Sequence, residues 1–101
     1  MALIKAAILS DLPPGQVSEI QVGDATYALC NVDGQLHCIS GVCPHAGGPL
    51  GQGMLQGETL MCPWHGWEFS CRTGANDSDP DLIVDKFNVQ ITNGEIFIDV
   101  P

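Results

Sequence analysis

The chain has 101 residues, 45% of them hydrophobic, and a formal net charge of −9 from 12 acidic and 3 basic residues. That length and apolar content suit one folded domain with a modest core, not a disordered chain. The charge would repel phosphate backbones and anionic lipid, which sets aside nucleic-acid and membrane-surface roles.

Residues 3–9 are a short β-prone run that ends at Ser10-Asp11-Leu12-Pro13-Pro14-Gly15, a strong turn signal. The N-terminal stretch shows no basic leader, twin arginine or small-residue cleavage pattern, and no run approaches the ~20 apolar residues of a membrane span. The expected location is the cytoplasm, where unpaired cysteines stay reduced. Residues 16–22 alternate with period two, as a half-buried strand does. Gly23-Asp24 turns the chain into a strand at 26–32, and Asp33-Gly34 reads as a hairpin turn into 35–39. A two-residue turn there puts Cys30 opposite His37 and Cys38 opposite Leu29. The two cysteines then face opposite sides of the hairpin and cannot form a disulfide. Residues 41–73 read as an insertion with short strands at 59–61 and 67–70. The segment 74–81 is turn-rich and acidic, an expected exposed loop. Strands at 87–92 and 95–100 flank Asn93-Gly94, the best short hairpin signal in the chain.

Short strands, many turns and no amphipathic helix predict an all-β fold, an antiparallel β-sandwich with one domain over 1–101 and an inserted subdomain at about 41–73. No repeat or linker is evident.

The chemistry lies in that insertion. Cys43-Pro44-His45 and Cys62-Pro63-Trp64-His65 each offer one thiolate and one imidazole, with sixteen residues between His45 and Cys62. A mononuclear zinc site also uses two Cys and two His, but zinc ribbons and fingers generally space their ligand pairs wider than Cys-x-His. Two loops that each give one Cys and one His suit a binuclear centre, one iron taking both sulfurs and the other both nitrogens. The longer stretches, Cys43-Pro44-His45-Ala46-Gly47-Gly48-Pro49-Leu50 and Cys62-Pro63-Trp64-His65-Gly66-Trp67-Glu68-Phe69, resemble the two cluster-binding loops of the Rieske ferredoxin family. The likeness runs along nearly all of the chain.

The resemblance implies the Rieske fold and one [2Fe–2S] cluster, held by Cys43 and Cys62 on one iron and His45 and His65 on the other, with no catalytic residue. It implies a soluble carrier that passes single electrons from a flavoprotein reductase to a terminal Rieske-type oxygenase. Two ferric ions and two sulfides carry two net positive charges, which two thiolates cancel. The oxidised protein therefore stays at −9, and its partners should present basic docking surfaces to what is expected to be a monomer. The exposed-loop acids Asp77, Asp79, Asp81 and Asp85 are expected at or beside the docking surface. A complete oxygenase subunit would need a further domain with a 2-His-1-carboxylate iron, and only His37 remains for it. The alternatives are a small Rieske subunit of a larger oxidoreductase, such as assimilatory nitrite reductase, and a zinc-stabilised interaction module.

Within the loops, Gly47, Gly48 and Gly66 would let backbone N–H groups approach bridging sulfides. Trp64 and Trp67 would shield the cluster from water. Respiratory Rieske proteins carry an extra cysteine in each loop, where this chain has Gly48 and Trp64, and a serine where it has Trp67. Fewer donors to the cluster imply a potential toward the low end of the Rieske range. His37 reads as a structural cross-strand histidine. Cys30, Cys38 and Cys71 read as small structural residues, with Cys71 a candidate for oxidation and no partner indicated for it.

Overall fold

The computed structural model describes residues 2–44, 47–64 and 66–101. Three small antiparallel sheets account for the architecture. The outer sheet runs β1 (Ala2–Ile8), β10 (Glu95–Val100), β9 (Val89–Thr92), and the central sheet β2 (Val17–Val22), β3 (Ala25–Val32), β4 (Gln35–Ser40), β8 (Lys86–Phe87). The third holds β5 (Met54–Gln56), β6 (Thr59–Met61) and β7 (Glu68–Ser70).

The sequence of β3 explains why the central sheet is covered on both faces. Residues 27–31 are buried without a break. Their side chains alternate between faces, so Tyr27 and Leu29 join a core with Ile96, Ile98 and Val100 of β10. Ala28 and Cys30 point the other way, into a second core with Leu50, Leu60, Phe69 and Cys71. One strand thus ties the sandwich to the small sheet whose β6–β7 hairpin carries the second ligand loop. Asn31 is the polar exception. It is buried, and its amide donates to the Leu12 carbonyl (2.8 Å) while its Oδ1 accepts from the Gly34 N–H (2.8 Å).

The two strongest turn signals are where the sequence places them. Asp33 and Gly34 have φ of 52° and 94°, Asn93 and Gly94 of 52° and 77°. Positive φ at both central residues is the type I′ hairpin, whose twist suits the flanking strands. The register follows: Cys30 pairs with His37 and Leu29 with Cys38.

The expected strand at 87–92 is two strands in two sheets. Phe87 pairs with Cys38 in the central sheet; after Asn88 the chain pairs Val89 with Ile98 in the outer one. The Asn88 carbonyl accepts the Asp99 N–H at this crossing (3.0 Å). A continuous alternating run carries no mark of such a switch. Strand β5 and the 3-10 turn at Leu50–Gln52 were not legible either, since three residues show no periodicity. Residue 67 precedes β7, and its carbonyl closes the second ligand loop instead.

Candidate metal centre

Each ligand loop is a closed backbone device. In the first, the Cys43 N–H donates to the Gly48 carbonyl and the Gly47 N–H to the Cys43 carbonyl, both at 2.8 Å, while a bridge pairs Val42 with Pro49. In the second, the Cys62 N–H donates to the Trp67 carbonyl (2.7 Å), one step beyond the Met61–Glu68 pair of the β6–β7 hairpin. Gly47 and Gly66 turn their loops at φ of 75° and 72°, which glycine adopts without a Cβ penalty.

The loops bring Cys43 and Cys62 together. Both are fully buried, in one apolar cluster, and their thiols are within hydrogen-bonding reach of each other. The Trp64 N–H points at Cys62 Sγ (3.4 Å). Burial pushes the Cys62 thiol up, the Trp64 N–H opposes this, and the adjoining Cys43 thiol adds to the rise. Two thiolates here would repel each other with little water to screen them, so a soft cation is what would stabilise both. The donor set therefore fits a centre that takes two sulfurs. His45 and His65, the expected nitrogen ligands, lie outside the described residues.

Gly48 closes the contact between the loops. A Cβ at this position would stand 2.7 Å from Cys62 Sγ and 3.2 Å from the Cβ of Trp64. The two positions matched to the respiratory disulfide therefore face each other across the loops, with glycine and tryptophan in place of the two sulfurs. The glycines do not all serve as expected: the Gly47 N–H is committed to the Cys43 carbonyl. Trp67 is partly buried against the apolar cluster that holds both cysteines, whereas Trp64 is 47% exposed. With Val42 (47%) and Met54 (58%), Trp64 makes this end of the molecule apolar at its surface.

The segment after β7 is pinned beside the second loop. Asn76, only 5% exposed, donates from Nδ2 to the Glu68 carbonyl (3.2 Å) and accepts the Ser78 and Asp79 N–H groups at Oδ1 (3.0 and 2.8 Å). The Asp77 N–H also donates to the Glu68 carbonyl (2.9 Å). Asp77, Asp79, Asp81 and Asp85 themselves are exposed, as the sequence suggests, but Asp77 is tied to β7, Asp79 to the Asn76 side chain, and the Asp85 carbonyl accepts the Ser40 N–H of β4 (2.8 Å). Among the described residues, Lys5 pairs with Glu95 (2.6 Å) and Arg72 with Glu58 (3.5 Å).

Sequence reasoning missed one pairing. Cys71 is fully buried and lies within hydrogen-bonding reach of Cys30, which joins the small sheet to the central one. That interaction and burial push the Cys30 thiol far above its ordinary range, and burial raises Cys38 to about 12. These are unreactive core thiols, Cys71 included, because it has no exposed surface. Two residues on separate elements gave no local signal of their contact.

Comparison with known proteins agrees with this geometry. A family model described as "Rieske [2Fe-2S] domain" matches residues 3–88. The chain is 31% identical to ferredoxin CarAc of Metapseudomonas resinovorans over 97 residues, covering 94% of this chain and 91% of that one. It is 34% identical over 98 residues to human apoptosis-inducing factor 3, of which it spans only 16%. Among solved structures, the complex of reduced oxygenase and oxidised ferredoxin in carbazole 1,9a-dioxygenase contains a chain that superposes with a TM-score of 0.87. That match has 31% identity over 95% of this chain and 91% of that one.

Proposed function

The chain belongs to the Rieske [2Fe–2S] family, and from that premise we propose that it is a cytoplasmic one-electron carrier between a flavoprotein reductase and a terminal oxygenase. It carries one Rieske-type [2Fe–2S] cluster, which takes up and releases one electron at a time. Cys43 and Cys62 would hold one iron, and His45 and His65 would hold the other. The observation that carries the reading is the pair of buried, mutually adjoining thiols on two glycine-turned loops at one end of the fold.

The chain's own residues supply the setting. The apolar cluster around Cys43 and Cys62 excludes water from the sulfurs, and the Trp64 N–H stabilises negative charge at Cys62. Glycine at 48 lets the two loops touch. The oxygenase half of the proposal is supported by the likeness to a chain from an oxygenase–ferredoxin complex. The reductase half rests on the single-electron chemistry and on the acidic surface, which favours basic partners.

Aerobically purified protein should hold two irons and two acid-labile sulfides per chain, absorb in the visible, and pass electrons from a flavin reductase to an oxygenase. Cys43→Ser, Cys62→Ser, His45→Ala and His65→Ala should each abolish the visible bands, because ligand binding and folding are coupled. Stoichiometric zinc in place of iron after anaerobic purification would overturn the proposal.

A further inference from the structure

A cleft of about 340 Å³ opens beside the second ligand loop, lined by Trp67, Glu68, Asn76, Ser78, Asp79 and Leu82, with Gly66 at its edge. Among the described residues, its lining holds two carboxylates and no cation. The backbone around it is fixed by the hydrogen bonds of Asn76 and by the Leu82 N–H donating to the Asp79 carbonyl (2.9 Å), so the carboxylates are presented on an ordered rim. Trp67 belongs both to the lining of the cleft and to the packing of the apolar cluster that includes Cys43 and Cys62.

We propose that this cleft is a socket for a guanidinium side chain of the redox partner, an arginine that seats against Trp67 between Glu68 and Asp79. The inference rests on the electron-carrier reading and names the contact by which the acidic protein recognises its partner. A planar, weakly hydrated cation suits an aromatic wall flanked by carboxylates. A free metal ion suits it poorly. Asn76 Oδ1 already accepts two N–H groups, and Asp79 Oδ1 accepts the Asp81 N–H (3.2 Å), so oxygens that would ligate a metal are engaged. A cation so near the cysteines also offsets the negative charge added on reduction. By reciprocity, the reduced carrier then holds the partner's arginine more tightly than the oxidised one, which favours release once the electron has passed to the accepting partner, the oxygenase.

The test titrates N-acetyl-arginine amide into the oxidised, cluster-loaded protein and follows backbone N–H resonances by NMR. Saturable shifts are expected at Ser78, Asp79 and Leu82. The double variant Glu68→Gln/Asp79→Asn should bind about tenfold more weakly, roughly the loss of one good charged contact. Asp33→Asn, the same kind of charge change at the β3–β4 turn, should bind as the wild type does. N-acetyl-norleucine amide, which has the stem without the cation, should produce no saturable shift. The proposal is overturned if shifts spread over surface carboxylates and survive the double variant. It is also overturned if norleucine amide binds equally, or if calcium chloride saturates the same resonances at lower concentration. Iron content and visible absorption of the same sample judge the electron-carrier reading separately. A colourless sample that still binds arginine would sink that reading and leave the cleft standing.

Discussion

One methyl group at position 48 should disturb the metal centre while leaving the sandwich in place. In Gly48→Ala the new Cβ would lie 2.7 Å from Cys62 Sγ and 3.1 Å from Trp64 Cγ. Carbon contacts are favourable at roughly 3.5–4.0 Å, and sulfur is larger still, so the shortfall is about an ångström. Neither neighbour can easily retreat: the sulfur sits one bond from the Cys62 Cβ, and the Trp64 atoms lie close to its backbone. Overpacking of this kind costs about 1–3 kcal/mol. Gly48 is not in the left-handed region, so alanine recovers roughly 0.4–1 kcal/mol by restricting the unfolded chain. The net loss of about 1–2 kcal/mol corresponds to a melting temperature lower by roughly 5–15 °C in a domain of this size.

The control is Gly57→Ala. Gly57 has φ of 61°, and among the described residues nothing lies within 4 Å of the point where its Cβ would stand. Alanine there therefore suffers backbone strain of about 1 kcal/mol without touching a ligand loop. Iron per chain, visible absorption and melting at one fixed scan rate should be measured on both variants. Gly48→Ala should lose iron and melt lower; Gly57→Ala should only melt lower. Full iron content with an unaltered spectrum in Gly48→Ala would refute the tight contact between the loops.

The reduction potential should lie near the roughly −150 mV end of the Rieske range, since Gly48, Trp64 and Trp67 replace the disulfide and the serine of high-potential relatives. Film voltammetry would contradict this with a value well above zero, and Trp67→Ser should raise the potential if a hydroxyl there reaches a sulfide. His37 should make stability depend on pH. Burial, with Lys86 and Arg72 adding to it, holds its imidazole below the ordinary value, and its Nε2 is buried with no hydrogen-bond partner among the described residues. The unfolded chain then binds the proton first, so stability should fall as pH drops through about 6.5 and level off once the folded imidazole is protonated too. Urea midpoints at pH 7.5 and 5.5 should differ less in His37→Gln than in the wild type; an equal difference would place the effect in other groups. On the proposed function, reduction by a flavin reductase should slow as ionic strength rises, and Asp77→Asn/Asp79→Asn/Asp81→Asn should flatten that slope. An unchanged slope in stopped-flow traces would move the steering charge elsewhere.

Much of the fold was legible because its signals are local. Asp33-Gly34 and Asn93-Gly94 select a turn type by backbone conformation alone. A two-residue turn fixes the register, which places Cys30 and Cys38 on opposite faces without any knowledge of the rest. The two loops that bring Cys43 and Cys62 together were legible for a similar reason: each cysteine sits in a short loop whose glycines and prolines mark it. What was not legible depends on distant partners. The crossing at Asn88 is set by which neighbour offers a free edge, β4 before it and β10 after it. The Cys30–Cys71 contact exists only once the small sheet has packed on the central one.

The placement of charge follows from the same packing. Residues 74–84 could have been a free acidic loop, but isolated bridges pair Phe69 with Asn76 and Ala75 with Ile83, which extends the small sheet into this segment. Asn76 can serve as the anchor because one amide side chain satisfies a carbonyl on β7 and two N–H groups of its own turn. The side chain is buried, while Asp77, Asp79 and Asp81, which follow it, are exposed. The Asp77 N–H holds the start of this acidic run beside Glu68 of the β6–β7 hairpin, whose loop carries Cys62. Substitution of Asn76 would therefore release both the acidic run and one wall of the cleft, although the residue itself is only 5% exposed. On the proposed function, position would matter as much as net charge: an acidity of −9 would attract a basic partner, and the anchored rim would turn that partner toward the end that carries Cys62.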